Sequence, residues 1–194
     1  QIADELVDGS GRFNRCDVIH TGVDAMVVVD IKRWPRLDDD QGGAEAACLG
    51  RHASVAFTDD WAADAARRDF TINAVFATLE GDLFDPFGGI EDLRLGRVRF
   101  VGEPDKRIEE DVLRILRFFR FYAHFGQGEP DAAALAACAA AAHRIPKLSA
   151  ERIRQEVLKL LDSKRCPSVW ALMMKEGVAA HFLPEAVHVA ALDR

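Results

Sequence analysis

Two stretches of this 194-residue chain concentrate side chains that could hold a phosphate chain and read a flat heterocycle. Residues Arg67 to Ala74 run Arg-Arg-Asp-Phe-Thr-Ile-Asn-Ala, and Glu110 to Phe121 run Glu-Asp-Val-Leu-Arg-Ile-Leu-Arg-Phe-Phe-Arg-Phe. Taken as one helix from Asp105 to Phe125, at about 100° per residue, the second stretch places Val112, Ile115, Leu116, Phe119 and Tyr122 on one face, for burial. Asp111, Arg114, Arg117 and Arg120 then trace a slanted stripe mostly away from that face. Three arginines without interleaved acids repel one another, so the stripe calls for an anionic partner. The plainer reading is a solvated face whose arginines pair with acids elsewhere.

Asp111 and Arg114 offer something more specific. An aspartate oxygen accepts from an exocyclic amino group, and an arginine donates to a ring nitrogen. Cytosine shows its N4 amino group beside the N3 acceptor, and adenine shows N6 beside N1. Guanine and uracil present a ring N–H and a carbonyl, the opposite polarity. One Asp–Arg pair therefore accepts C and A and rejects G and U, and rejection is strong when the wrong base leaves buried polar groups unpaired. Arg117 and Arg120 are suited to bidentate contacts with a triphosphate. In the first stretch, an arginine of the Arg67-Arg68 pair can bind phosphate, while Asp69 and Asn73 can bond a ribose hydroxyl; a surface ion pair with a buried asparagine is the ordinary alternative. Between the two stretches lies Asp85-Pro86-Phe87-Gly88-Gly89. Gly88 and Gly89 read either as a common turn or as a hinge between two parts of the protein.

The elements that must carry these residues divide the chain. Cys16–Thr21 and Ala25–Ile31 are short and rich in β-branched residues, as strands are. Lys32 to Gly50 defaults to a loop. Asp59 to Ala66 suggests a short helix capped by Thr58 or Asp59. Thr71–Thr78 is β-capable or a helical continuation, and Leu83–Asp85 and Val98–Val101 are short strand candidates. Beyond Pro104, residues 105–125, 130–143, 149–163 and 167–177 read as helices. The expected class is α+β: a mixed-sheet unit over residues 1–104 and an all-helical unit over 105–194.

Hydrophobic residues at 49% and charged residues at 29% are ordinary for a globular protein, and the length allows a substantial core. No apolar run approaches the roughly 20 residues that span a bilayer, so no membrane association is expected. A net charge of −7 argues mildly against a general nucleic-acid binder, but a local arginine stripe outweighs the total. The cysteines at 16, 48, 138 and 166 form no CxxC pair, so zinc is not expected; reduced thiols in a cytoplasmic setting are the simplest reading.

Several ordered motifs resemble class II tRNA nucleotidyltransferases (CCA-adding enzymes) and the related bacterial poly(A) polymerases. They are Thr21–Asp24, Val55–Trp61, Arg67–Ala74, Asp85–Leu93, Val98–Arg107, Glu110–Phe121 and Leu148–Ile153. The resemblance implies a nucleotidyltransferase head followed by helical neck and body domains that hold tRNA. It implies nontemplated addition of C and A to an RNA 3′ end from CTP and ATP, with two Mg²⁺ ions. It places Arg68, Glu110, Asp111, Arg114, Arg117 and Arg120 among the nucleotide-binding positions. The family's Gly-Gly-x-x-Arg-Asp loop and Asp-x-Asp metal site fall before residue 1, so the catalytic carboxylates are expected upstream and no metal ligand is assigned. The chain alone is then expected to bind nucleotide weakly and transfer nothing. Residues 25–50 depart from the family pattern. A poly(A) polymerase and a catalytically dead RNA-binding relative are the competing readings.

Overall fold

The protein is described by a computed structural model covering residues 30–31, 44–49, 52–57, 60–77 and 83–185, with side chains described over 60–76 and 83–185. The readings of Cys16–Thr21 and most of Ala25–Ile31 lie outside the described residues. Strand is short in the front of the chain. β1 (Asp30–Ile31) pairs in parallel with β4 (Phe76–Ala77), which pairs antiparallel with β5 (Leu83–Phe84). β2 (Ala44–Leu49) and β3 (His52–Phe57) form a separate antiparallel hairpin. The loop expected over Lys32–Gly50 is thus corrected at 44–49. That alanine-rich stretch has little intrinsic strand preference, and its backbone is satisfied by pairing with β3.

Helix α1 (Trp61–Ala66) starts two residues later than expected. Its cap is Asp60, whose side chain accepts from the backbone N–H groups of Ala62 at 2.9 Å and Ala63 at 3.0 Å. A short 3₁₀ turn over Thr71–Asn73 follows. The segment around Val98–Val101 does not build a strand; it makes one antiparallel bridge, Phe70 to Phe100.

Helix α2 (Gly89–Arg94) is set by the Asp85–Leu93 motif. Both oxygens of Asp85 accept from the first N–H groups of the helix, Gly89 at 2.7 Å and Ile90 at 2.9 Å, satisfying donors that a helix start leaves open. Gly88 sits at φ 72°, in the left-handed region. Gly89 is required for a different reason. A Cβ there would lie 2.0 Å from the Thr71 carbonyl oxygen, so the backbone of α2 rests directly on the 3₁₀ turn. Asp92, fully buried, accepts from Thr71 Oγ1 at 2.6 Å and from Arg99 Nε at 2.7 Å, and pairs with Arg97 Nε at 3.0 Å.

The single helix expected over 105–125 is two helices. α3 (Pro104–Glu110) ends at Asp111, whose backbone is extended at φ −149°, ψ 109°, and α4 (Arg114–Phe125) starts anew. The cause is local. Asp111 Oδ1 accepts from the N–H of Leu113 at 3.0 Å, the competition with the helical ladder that makes aspartate a capping residue. α5 (Ala132–Ala141), capped by Asp131, continues into a 3₁₀ segment over Ala142–Lys147. α6 (Ala150–Leu161) is capped by Ser149, and α7 (Cys166–Lys175) carries Pro167 in its first turn.

The main core forms around α4, which packs against α6 and α7. Ile115, Leu116, Phe119 and Tyr122 are buried as expected; Val112 is only partly so. Phe118 and Phe121 are buried too, because the front of the chain covers the side of α4 expected to face water. Phe70 lies 4.8 Å from Phe100 and 5.1 Å from Phe121, ring centre to ring centre, so one aromatic cluster joins the 67–74 stretch to α4. A smaller cluster of Ala65, Ala74, Phe76 and Val101 packs with Trp61, Phe84 and Phe87.

Candidate functional site

The aromatic contact between Phe70 and Phe121 brings the two chemistry-bearing stretches together. Asp69 is buried at the meeting point, 7% exposed. It accepts from the Asn73 side chain, from the Phe70 backbone N–H at 3.1 Å and from Arg117 Nε. Asn73 Oδ1 in turn accepts from Phe70 N–H at 3.1 Å. Burial by itself would raise the Asp69 pKa. The Arg117 charge, with the hydrogen bonds from Arg117 and Asn73, outweighs it and holds the carboxyl below its ordinary range.

Arg107 joins the stretches at a second point. Its guanidinium donates to the Arg68 carbonyl and to Glu110 Oε1, the latter at 3.1 Å. Burial, and next the nearby Arg114 charge, lower the Arg107 pKa from its usual value. Arg114 Nη1 donates to the Arg107 carbonyl at 2.8 Å and to Glu110, while Nη2 lies 3.4 Å from the Arg67 carbonyl. Among the described residues these are its partners, and its Nε–H and one Nη2–H remain available. Asp111 has one bond on each oxygen: Leu113 N–H on Oδ1, and Arg152 Nη2 on Oδ2 at 2.8 Å. Each carboxylate oxygen can accept more than one bond, so both keep acceptor capacity. Asp111 and Arg114 are linked directly by a backbone bond, Arg114 N–H to the Asp111 carbonyl at 3.1 Å.

The unpaired arginine stripe is corrected. Arg114 meets Glu110, Arg117 meets Asp69, and Arg120 pairs with Glu156 of α6 at 2.9 Å with both side chains buried. Acids from three other segments interleave the arginines, so the fold supplies the counter-charges that α4 lacks. Arg120 Cζ also lies 4.5 Å from the Phe121 ring centre, and Arg117 Cζ 5.6 Å from it on the same ring. Arg68 pairs with Asp64 at 3.0 Å and lies over Phe76. Gly88 and Gly89 lie at the start of α2, away from this cluster in the hydrogen-bond network.

Sequence reasoning missed Arg107, Arg152, Glu156 and Asp92 as members of the network. The i, i+4 spacing of Arg152 and Glu156 on a helix was the available signal, since it places both on one face. Among the described residues, no group of three or more His, Cys, Asp or Glu side chains is arranged to hold a cation. The described residues therefore do not fit a two-Mg²⁺ centre. What they can do is bind, through hydrogen-bond donors and acceptors fixed on packed elements.

The family model described as the poly A polymerase head domain matches residues 43–99. A second, described as the probable RNA and SrmB-binding site of polymerase A, matches residues 129–189. The mitochondrial CCA tRNA nucleotidyltransferase 1 of Homo sapiens is 51% identical over 148 residues, which is 75% of this chain and 34% of that protein. A crystal structure of the Bacillus stearothermophilus CCA-adding enzyme in complex with CTP superimposes with a TM-score of 0.65 at 29% identity, over 80% of this chain and 42% of that one. A tRNA nucleotidyltransferase complexed with a primer tRNA and an incoming ATP analog gives a TM-score of 0.56 at 28% identity, over 64% of this chain and 37% of that one. The chain spans about a third of the length of the curated relatives it matches. Residues 43–99 therefore have a nucleotidyltransferase head fold, the described residues taken together are mostly helical with little strand, and the chain belongs to the family of tRNA nucleotidyltransferases and poly(A) polymerases.

Proposed function

We propose that this chain provides the nucleotide-selecting and RNA-holding part of a CCA-adding tRNA nucleotidyltransferase. The observation that carries the reading is the break at Asp111. It takes Asp111 out of the helix and leaves acceptor capacity on its carboxylate, beside an Arg114 with two N–H donors to spare. That is the donor–acceptor order complementary to C and A, and the inverse of that presented by G and U. Arg107 and Glu110 hold the Arg114 guanidinium, so its direction is set before a nucleotide arrives.

Arg68, Asp69 and Asn73 form the floor of the nucleotide site in this reading, with Asp69 and Asn73 toward the ribose. Arg117 and Arg120 serve the triphosphate, Arg120 while its Nε stays paired with Glu156. Residues 1–104 are the head, built on a mixed sheet, and 105–194 the neck and body. Gly88 and Gly89 lie within the head, where they start α2 against the 3₁₀ turn over Thr71–Asn73. The solved relatives bound to CTP, to an ATP analog and to tRNA support CTP, ATP and tRNA as the ligands here. Mg²⁺ belongs to the transfer step, which the described residues do not supply; a cytoplasmic site of action is consistent with reduced cysteines.

The reading is tested with the protein encoded by the complete gene and a tRNA lacking its 3′ CCA. Incorporation of two C residues and one A supports it. Long A tracts with no C support the second reading, poly(A) polymerase, which the names of both matched family models keep in play.

A further inference from the structure

Arg152 stands 41 residues beyond Asp111, on α6, yet its guanidinium donates to Asp111 Oδ2 at 2.8 Å. The helix that carries it is pinned. One turn later on the same face, Glu156 is buried against Arg120, and Ser149 caps the helix start. α6 therefore cannot rotate without breaking a buried ion pair, and Arg152 is delivered to the bend between α3 and α4. The Arg152 side chain itself is 48% exposed, and among the described residues it pairs with Asp111.

A carboxylate held only by the Leu113 N–H can swing about its Cβ–Cγ bond, because that contact fixes one oxygen. A second donor on the other oxygen fixes the plane of the group. The two donors lie on different oxygens, so each oxygen keeps room for an incoming amino group. Selection between C and U depends on that plane, because a misaligned acceptor neither rewards an amino group nor penalises a carbonyl.

We infer that Arg152 is a positioning residue for base selection: it sets the plane of the Asp111 carboxylate and thereby makes the choice of nucleotide depend on the placement of α6. The inference rests on the reading of Asp111 as the base acceptor. α6 lies within the segment matched by the RNA-binding family model, residues 129–189. RNA seated on that helix is thus mechanically connected, through one ion pair, to the residue that reads the base.

The test is equilibrium binding of CTP, ATP, UTP and GTP to the full chain, followed by NMR at nucleotide concentrations up to the millimolar range. Four proteins are compared: the natural chain, Arg152→Ala, Arg152→Lys and Asp111→Asn. Each is also melted thermally. Arg152→Ala is expected to lower the CTP-to-UTP preference about tenfold, the scale of one charged hydrogen bond. Its melting temperature should move by no more than about a few degrees, as for an exposed ion pair. Arg152→Lys should recover part of the preference, since it keeps the charge without the planar fork. An unchanged preference in Arg152→Ala, with the preference lost in Asp111→Asn, overturns the role of Arg152 and leaves the base reading standing. An unchanged preference in Asp111→Asn, or no preference for C and A in the natural chain, overturns both. Tighter CTP binding by Arg152→Ala with selectivity intact makes Arg152 a competitor for the acceptor and also overturns the inference.

Discussion

Arg117 donates its Nε–H to Asp69, a residue 48 positions earlier in the chain and almost wholly buried. This contact ties the arginine-rich helix to the Arg-Arg-Asp stretch, and it has a pH signature. Burial opposes ionisation of Asp69, but Arg117 and the Asn73 bond prevail and depress its pKa. A depressed carboxyl contributes stability that is present above its unfolded pKa and lost as pH falls through the folded value. The unfolded value is about 3.9, so the loss falls below about pH 4. Replacing Asp69 with Asn should flatten the acid limb of a stability-against-pH curve in that range, measured by urea denaturation. An acid limb identical to that of the natural chain would show that Asp69 is not linked in this way.

Asp92 is a buried junction for Thr71, Arg97 and Arg99. Asp92→Ala removes the acceptor for all three. Arg97 and Arg99 are each more than a third exposed and can return to water, which moderates the loss. A destabilisation of about 2–3 kcal/mol is expected, at the scale of charged hydrogen bonds. Chemical denaturation measures it; a change under about 0.5 kcal/mol, typical of a surface position, would contradict the junction.

The two glycines of the Asp85–Leu93 motif should respond differently to alanine. At Gly88 the cost is the left-handed backbone, about 1–2 kcal/mol. At Gly89 the methyl group would collide with the Thr71 backbone carbonyl, and overpacking of this kind costs about 1–3 kcal/mol or more. Gly89→Ala should therefore be the more damaging, and should also shift the backbone amide signals of Thr71–Asn73 in an NMR spectrum. Equal effects, with no shift at the 3₁₀ turn, would argue against the close approach.

Arg120 and Glu156 give a prediction in which two changes cost less than one. Glu156→Ala strands a buried guanidinium and should cost about 3–5 kcal/mol. Replacing both residues with leucine removes the stranded charge and should recover most of that loss. A double-mutant cycle read by thermal melting decides it, and strictly additive losses would contradict a coupled pair.

The sequence signals that succeeded were local ones. The helices at Ala132–Ala141, Ala150–Leu161 and Cys166–Lys175 fall close to the stretches 130–143, 149–163 and 167–177 that read as helical. The failures were failures of context. The bend at Asp111 was hidden because every residue around it can continue a helix, and only the Asp111–Leu113 bond favours the cap. Ala44–Leu49 reads as a poor strand, and its pairing with His52–Phe57 is what makes it one. The counter-charges of Arg117 and Arg120 come from 48 and 36 residues away, beyond any periodicity in α4. Both faces of α4 are covered for the same reason: the aromatic residues that bury its second side, Phe70 and Phe100, belong to a distant segment.

The most direct test is a crystal structure of the chain with CTP bound. Cytosine N4 should donate to the Asp111 carboxylate, and N3 should accept from Arg114, each at about 2.7–3.2 Å. Cytosine bound with its Watson–Crick edge turned away from both residues would contradict the account.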